Sequence, residues 1–209
     1  LSDRDGADKA AAAIRENLEF IDYAAQDTSG CLAAMFGLHA AFTLSDATLA
    51  RCRGLVPEDV GFHIHVAEGP EDQQHSLSRH GERVVRRLHR LGILGPKTIA
   101  VHCIHVDQGE IELLRDSGSI VVHNPESNMG NAVGCPPTMA QIRAGILVGL
   151  GTDGYTADML ESLKFANLLH KHALADSQAA WAEAPAMLFE NNRKIAARFF
   201  RQPIGMLAP

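Results

Sequence analysis

Five apolar runs, separated by amphipathic stretches, set the pattern of the chain. Each run is almost continuously hydrophobic, as is typical of a strand buried in a parallel sheet, and each ends on or beside a polar residue. In the run GFHIHVAE, residues 61–68, side chains alternate between the two faces of the strand, so His63 and His65 point the same way. The other predicted strands are CLAAMFGLHA (31–40), ending near His39, and residues 98–104, 119–123 and 146–151.

The segments between the predicted strands have helical periodicity and helix-start signals. The predicted helices are 7–26, a short helix from the N-cap Ser45 to about Arg53, 70–91, a helix from the capping box of Asp107 and Glu110 to Ser117, 138–144, a helix from Asp158, and pieces of 180–200. Strand and helix alternate, which predicts an α/β fold with a parallel sheet and right-handed crossovers. An eight-stranded barrel takes about 250 residues, so this chain forms either an open sheet or part of a barrel.

The predicted helix over residues 70–91 follows the strand-stopping pair Gly69-Pro70. Hydrophobic residues at helical spacing predict its buried side, namely Leu77, Val84, Leu88 and Leu91. Its basic residues predict a solvated face, made of Arg79, Arg83, Arg86, Arg87 and Arg90. The net charge of −6 argues against a nucleic-acid partner, which would require a basic surface.

The composition, with 46% hydrophobic and 21% charged residues, is ordinary for a soluble globular protein. No apolar run approaches the ~20 residues of a membrane span, and the N-terminus lacks the pattern of a signal peptide. The four cysteines lie far apart without a CxxC pair, so no thiolate metal site is indicated and a cytoplasmic protein is expected. Eleven histidines, however, require more explanation than a packed core.

Histidine and acidic residues at the ends of successive predicted strands indicate a metal site at the top of a parallel barrel. Glu68 lies in the loop after its strand, where it can turn back over the strand end. Two metal assignments fit the spacing. In the first, His63 and His65 form a local pair, and His102 and Asp153 complete the site. In the second, only one histidine of the pair binds metal, and the site needs more ligands than the chain contains. Imidazole and carboxylate ligands without a thiolate suit zinc, iron or manganese.

Each candidate residue also has a structural alternative. Asp153 follows glycines that allow a sharp turn, and the ligand role is favoured over a helix cap because Asp158 already offers a cap. Glu68 fits a general base and then a general acid beside an activated water, with an ordinary loop charge as the alternative. His102 could bind metal or hydrogen-bond that water. Candidates for substrate contact are His39, His123, Asn124, Ser127 and Asn128, with buried structural histidines and Asn-Pro turn chemistry as the alternatives.

Four strings, in their order and spacing, resemble the amidohydrolase superfamily: HVAE (65–68), AVHCIH (100–105), VVHNPESN (121–128) and GLGTDG (149–154). More narrowly, they resemble its deaminase and chlorohydrolase branch, and HNPESNMGNAVG and GLGTDGYTADMLES are closest to the aminohydrolases grouped with selenium metabolism and purine breakdown. The resemblance covers nearly the whole chain. It implies a distorted (β/α)8 TIM-type barrel with one divalent metal, of which this chain corresponds to about strands 4 to 8.

The resemblance also implies a role for each matching residue. His65 resembles the fifth-strand metal ligand, and Asp153 resembles the eighth-strand ligand that also accepts a proton. Glu68 resembles the acid that shuttles protons, and His102 the sixth-strand histidine beside the hydrolytic water. His39 resembles a fourth-strand histidine that contacts substrate in some members. The resemblance therefore selects the second metal assignment.

One departure from the family pattern matters. The first-strand His-x-His pair has no counterpart, because residues 1–60 contain only His39, so the chain holds two of four expected ligands and His63 remains a neighbour. We expect residues 1–202 to form an incomplete barrel, and PIGMLAP (203–209) resembles the start of a small β-domain that is otherwise absent. Weak metal binding and no useful turnover are expected of the 209-residue chain alone.

The activity implied by the resemblance is hydrolysis of a C–N bond, other than a peptide bond, in a purine-like or related nitrogen heterocycle. Water activated by a divalent metal, with zinc favoured over iron or manganese, would replace an amino group and release ammonia. The expected partner is a small-molecule substrate, without nucleic acid or membrane, and a homo-oligomer is expected at full length. The alternatives are a chlorohydrolase acting on a halogenated heterocycle and a non-catalytic binding piece.

Overall fold

The computed structural model describes residues 1–202, 204 and 205, and within them five parallel strands form one sheet in sequence order. The strands are β1 (Phe36–Ala40), β2 (Phe62–Val66), β3 (Ile99–His102), β4 (Ile120–His123) and β5 (Val148–Leu150). Each strand pairs in parallel with the next one along the chain, as in a (β/α)8 barrel. The predicted parallel α/β fold and partial barrel are confirmed. The β-domain expected at 203–209 lies outside the described residues, apart from 204 and 205.

Helices connect the strands and cover the outer face of the sheet. They are α1 (Ala7–Ala25), α2 (Asp46–Leu55), α3 (Pro70–His80), α4 (Val84–Arg90), α5 (Gln108–Asp116), α6 (Pro125–Gly130), α7 (Thr138–Arg143), α8 (Met159–Leu174), α9 (Glu183–Ala186) and α10 (Asn192–Ala196), with a 3-10 turn at Ala41–Thr43 and a π-helical turn at Met187–Asn191. In the described part of the chain, none of the helices combines the length and apolarity needed to cross a membrane.

Three helices begin at the caps that the sequence predicts. The Ser45 hydroxyl accepts a hydrogen bond from the Thr48 amide in the first turn of α2, and Asp107 and Glu110 form the reciprocal capping box of α5. The Asp158 carboxylate accepts two backbone amides at the start of α8, at 2.9 and 3.2 Å. Because Asp158 caps α8, the carboxylate of Asp153 is free for another role.

Two predicted elements differ from the structure. The ladder with β2 starts only at Phe36, so the predicted strand over residues 31–40 is half as long as expected. The helix predicted over residues 70–91 is wrong as one element, because Gly81 adopts a left-handed conformation (φ 72°) that ends α3. The buried residues of α3 are Asp72, Gln73 and Ser76, so Leu77, expected to be buried, lies off that face and is 47% exposed.

The predicted solvated basic face is wrong for Arg87, whose side chain is fully buried. Its Nε donates to the Asp46 carboxylate at 2.7 Å, and its two terminal nitrogens donate to the carbonyls of Ala41 and Leu44 at 2.7 and 2.6 Å. All of its hydrogen-bond partners lie more than 40 positions earlier in the sequence, so the helical charge pattern carried no sign of them. Arg87 therefore ties α4 to the turn that follows β1.

Candidate active site

The imidazoles predicted at the strand ends lie together at one end of the sheet. In β2, Phe62, Ile64 and Val66 are buried, and the alternate positions His63 and His65 occupy the opposite face. The His65 ring is the centre of the cluster that they form. It lies, centroid to centroid, 5.5 Å from His102, 5.6 Å from His39 and 5.9 Å from His63.

Left-handed backbone at the strand ends brings the remaining groups to this cluster. In the register of the sheet, His102 lies beside the core-facing Val66, so a regular strand would point its ring away from His65. With φ at 71°, His102 instead stacks on the His65 ring at an interplanar angle of 24°. Ala67 (φ 48°) and Asp153 (φ 54°) are also left-handed. Such positions cost about 1–3 kcal/mol each for non-glycine residues and are concentrated at functional sites.

Two carboxylates flank the buried His102 ring. Its Nε2 lies 3.6 Å from Glu68 Oε2 and 3.7 Å from Asp153 Oδ2, and the nitrogen is buried without a hydrogen-bond partner. Both carboxylates remain accessible, with side chains 28% and 32% exposed. The arrangement can therefore receive a small polar group among one imidazole nitrogen and two carboxylates.

The hydrogen bond of His65 determines which of its nitrogens is free. Its Nδ1 faces the backbone carbonyl of His39, and because a carbonyl only accepts, Nδ1 must carry the proton. The neutral ring then has its lone pair on Nε2, the form that binds a metal ion. This geometry makes His65 suitable as a ligand.

The Asp153 carboxylate is held in its charged form. Burial alone would raise its pKa, but hydrogen bonds from Ser127 and the Gly154 amide, together with the nearby His102 and His65, bring the pKa below its usual value. The Gly154 amide donates to Oδ1 at 2.8 Å. Asp153 is therefore prepared to act as a ligand or proton acceptor at neutral pH.

Glu68 is positioned by two residues that sequence reasoning missed. The Asn131 side chain donates to Glu68 Oε1 at 3.2 Å, and the Glu68 amide donates to Asp72 Oδ2 at 3.0 Å. Asn131 lies one turn after Ser127, at the C-cap of α6, in a stretch where the sequence analysis predicts no helix. Asp72, in the first turn of α3, resembles an ordinary helix-start acid in the sequence, and only the structure shows that its side chain is buried.

Replacing Asp72 with asparagine should stabilise the protein at neutral pH. Burial, first of all, raises the pKa of Asp72 to about 6, whereas an unfolded aspartate titrates near 3.9. The folded state therefore binds the proton more tightly, and the free energy of unfolding falls as pH rises from about 4 to about 6. We expect Asp72→Asn, which keeps an acceptor for the Glu68 amide, to raise the free energy of unfolding at pH 7.5 by about 1–3 kcal/mol.

Urea unfolding at several pH values measures this effect. The difference between Asp72→Asn and the native protein should shrink as pH falls from 6.5 to 4, since the native carboxyl becomes neutral there. The exposed Glu71, in the same helical turn, provides the control substitution Glu71→Gln, which should leave the curve unchanged. A stability difference that is constant with pH would contradict the raised pKa.

The residues predicted to contact substrate fall into two groups. His39 is exposed beside the cluster, and its Nδ1 is 3.1 Å from the Thr43 hydroxyl. His123, Asn124 and Asn128 are 0%, 4% and 0% exposed. The burial of His123, followed by the charges of nearby histidines, holds its pKa well below the usual value, so the ring is neutral. These three side chains are therefore almost completely buried, whereas His39 is exposed.

Among residues 1–202, 204 and 205, no group of three or more His, Cys, Asp or Glu side chains is arranged to hold a metal ion together. The cluster instead provides a pair of potential ligands, His65 with a free Nε2 and the charged Asp153. His63 is half-buried beside them, and burial, then the neighbouring His65, lowers its pKa. This pair is the one that the family resemblance selects.

The sequence and the sheet define the class of protein. Residues 3–190 match the model of the amidohydrolase family, and the chain belongs to that family. It is 38% identical over 172 residues to a 5-methylthioadenosine/S-adenosylhomocysteine deaminase of Pelotomaculum thermopropionicum, a match that covers 80% of this chain and 40% of that protein. It is also 40% identical over 159 residues to a 5'-deoxyadenosine deaminase of Methanopyrus kandleri, covering 74% of this chain and 37% of that protein.

A solved structure shares both the fold and part of the sequence. An adenosine deaminase from Xanthomonas campestris, crystallised with bound zinc, superposes on this chain with a TM-score of 0.79 at 31% identity. The match covers 88% of this chain and 42% of that one. The chain thus spans less than half the length of each of these three relatives.

Proposed function

We propose that the protein is a metal-dependent hydrolase that removes the amino group of a purine-like or related nitrogen heterocycle as ammonia. The carrying observation is the buried, unpartnered Nε2 of His102, placed 3.6 and 3.7 Å from the carboxylates of Glu68 and Asp153. A hydrolase requires such a position, where a water molecule can be oriented and its protons removed. The relatives named as deaminases of adenosine-type compounds support the same chemistry and substrate class.

We propose that the cluster supplies two of the ligands of one divalent metal ion. His65 offers an imidazole nitrogen with a free lone pair, and Asp153 offers a carboxylate held charged, so these two residues would hold the ion. Zinc suits such oxygen and nitrogen ligands, as do iron and manganese. When bound, the ion would lower the pKa of a coordinated water from about 15.7 to about 7. The zinc in the adenosine deaminase structure supports this choice of metal.

Glu68, Asp153 and His102 would divide the proton chemistry among them. Glu68 takes the first proton of the attacking water while His102 Nε2 accepts a hydrogen bond from the second, which orients the water oxygen toward the ring carbon that bears the amino group. Asp153 takes that second proton after the oxygen has attacked. A C–O bond forms while Glu68 passes its proton to the adjacent ring nitrogen. Proton delivery from Asp153 to the amino nitrogen then allows the C–N bond to break, with ammonia as the leaving group and a carbonyl left on the ring.

We propose that His39 contacts the substrate directly, because it is the exposed member of the predicted set. Because His123, Asn124 and Asn128 are buried, we propose that they support the residues of the site and do not contact the substrate. A Cβ at Gly151 would collide with the side chain of Asn124, so these two residues pack tightly beneath β5.

We also propose a cytoplasmic, homo-oligomeric protein without nucleic-acid or membrane partners. The four cysteines are free thiols, which is usual for a reducing compartment. Trp181 and Leu168, which line one groove of about 440 Å³, are 70% and 51% exposed, and apolar surface of this kind favours association between subunits.

A substrate panel tests the proposed activity. Because weak metal binding and no useful turnover are expected of this chain alone, the assay uses the full-length protein. Ammonia release should be measured with adenosine, 5'-deoxyadenosine, 5-methylthioadenosine and S-adenosylhomocysteine, and chloride release with a chlorinated triazine. We expect ammonia from at least one adenosine compound, loss of that activity after chelation, and recovery with zinc. Chloride release without ammonia release would identify a chlorohydrolase instead, and the absence of both would contradict a hydrolase of this class.

A further inference from the structure

Asn128, on α6, joins two buried imidazoles directly behind the candidate active site. Its Oδ1 is 2.8 Å from His102 Nδ1, and its Nδ2 is 3.4 Å from His123 Nδ1. All three side chains are 0% exposed, so solvent does not compete for these bonds. The single amide is therefore the hydrogen-bond partner of both Nδ1 atoms.

An amide group bonds to an imidazole with a defined polarity. The amide oxygen only accepts, so His102 Nδ1 must carry a proton, and the neutral ring then has its lone pair on Nε2. The amide nitrogen only donates, so His123 Nδ1 must accept. Without such a partner, a free neutral histidine is not restricted to either form. The choice matters because His102 Nε2 is the atom that faces Glu68 and Asp153.

We propose that Asn128 is a positioning residue that keeps His102 in the Nδ1–H tautomer, so that Nε2 accepts a hydrogen bond from the attacking water. The role of the attacking water rests on the proposed function, whereas the assignment of the His102 tautomer does not. Asn128 acts through His102 and contacts neither water nor substrate.

The opposite arrangement, with the amide turned over, predicts a different geometry. His102 would then carry its proton on Nε2 and donate it to a carboxylate at the usual distance of about 2.7–3.2 Å. The observed separations from Glu68 and Asp153 are 3.6 and 3.7 Å, too long for such a bond. The shorter contact, 2.8 Å, is the one on Nδ1.

Nuclear magnetic resonance of the histidine nitrogens tests the proposal in the native protein. Two-bond proton–nitrogen spectra of protein labelled with ¹⁵N-histidine distinguish the two tautomers, and the signals missing from His102→Gln assign the ring. We expect His102 in the Nδ1–H form, both without metal and after one equivalent of zinc. A ring in the Nε2–H form would overturn the proposal, and this measurement requires no Asn128 variant to fold.

Two substitutions then distinguish a positioning role of Asn128 from a role in packing alone. Asn128→Leu has a similar shape but no acceptor and should move His102 to the Nε2–H form, with kcat reduced about 10- to 100-fold, as when other orienting partners are lost. Asn128→Asp keeps an acceptor and should retain the Nδ1–H form. An Nδ1–H signal that persists in Asn128→Leu would show that Asn128 does not fix the tautomer.

Asn167 provides a matched control. Its amide donates to the carbonyl of Ala180 at 3.2 Å, which links α8 to the segment before α9. Asn167→Leu should leave the His102 signal and kcat unchanged. If the native protein released no ammonia but showed His102 in the Nδ1–H form, the proposed function would fail while the role of Asn128 would stand.

Discussion

Replacing Glu68 with glutamine in the full-length protein should reduce kcat for ammonia release by about 10²- to 10⁴-fold, the range expected for loss of a general acid–base group. The substitution removes the proton acceptor and little else. Glutamine keeps the side-chain oxygen that accepts from Asn131 and the backbone amide that donates to Asp72. Because Glu68 is not a proposed metal ligand, metal content measured by mass spectrometry should remain that of the native protein.

The control for this experiment lies three residues further along the chain. Glu71→Gln removes an exposed carboxylate from the same loop-to-helix junction, and kcat should stay within about twofold of the native value, because surface substitutions away from special features have small effects. Equal activity of Glu68→Gln and the native protein would be expected of a binding module, and it would rule out the proposed role of Glu68 in catalysis.

The convergence of the site could be predicted from the sequence because parallel strands present their C-terminal ends at one edge of a sheet. That rule applies to any chain with the same order of strands, so it placed His65, His102 and Asp153 together without any distance information. The cap at Asp158 was similarly local, and it correctly left Asp153 free.

The fine geometry of the site was not predictable in this way. The left-handed backbone of His102 and Asp153 is uncommon for non-glycine residues, and the local sequence does not indicate it. Asn128 of α6 and the C-cap residue Asn131 illustrate the same limit. Asn128 and Asn131 have opposite environments, one fully buried against His102 and one exposed beside Glu68, although both belong to one polar segment.

Arg87 shows how tertiary structure can override a charge pattern. Five arginines spread over 79–90 indicated a solvated helix face, yet Arg87 is completely buried. The glycine break after α3 reorients α4, and the partners of Arg87 come from the turn after β1 and the start of α2. A basic residue is buried only where such partners satisfy it, and they are distant in sequence.

The substitution Arg87→Met should therefore destabilise the protein by about 3–5 kcal/mol, as expected when one partner of a buried ionic network is removed. Methionine fills part of the space but leaves the carbonyls of Ala41 and Leu44 without their donors and removes one partner of Asp46. For a chain of this size, the loss corresponds to a decrease in Tm of roughly 10 °C. Urea and thermal unfolding measure both quantities.

A control substitution at the adjacent Arg86 separates the effect of losing a buried side chain from the effect of losing a positive charge. Its side chain is 49% exposed and reaches Asp107 only at 3.8 Å, so Arg86→Met should change the free energy of unfolding by less than about 1 kcal/mol. Both substitutions remove one positive charge from neighbouring positions of α4, so an effect of net charge would appear equally in both. Equal stability of the two variants would mean that the Arg87 network does not hold α4 to the turn after β1.

The same turn carries Thr43 and follows His39, whose carbonyl fixes the His65 tautomer. A large loss confined to Arg87→Met would thus connect the stability of the outer helix layer to the geometry of the proposed metal ligand.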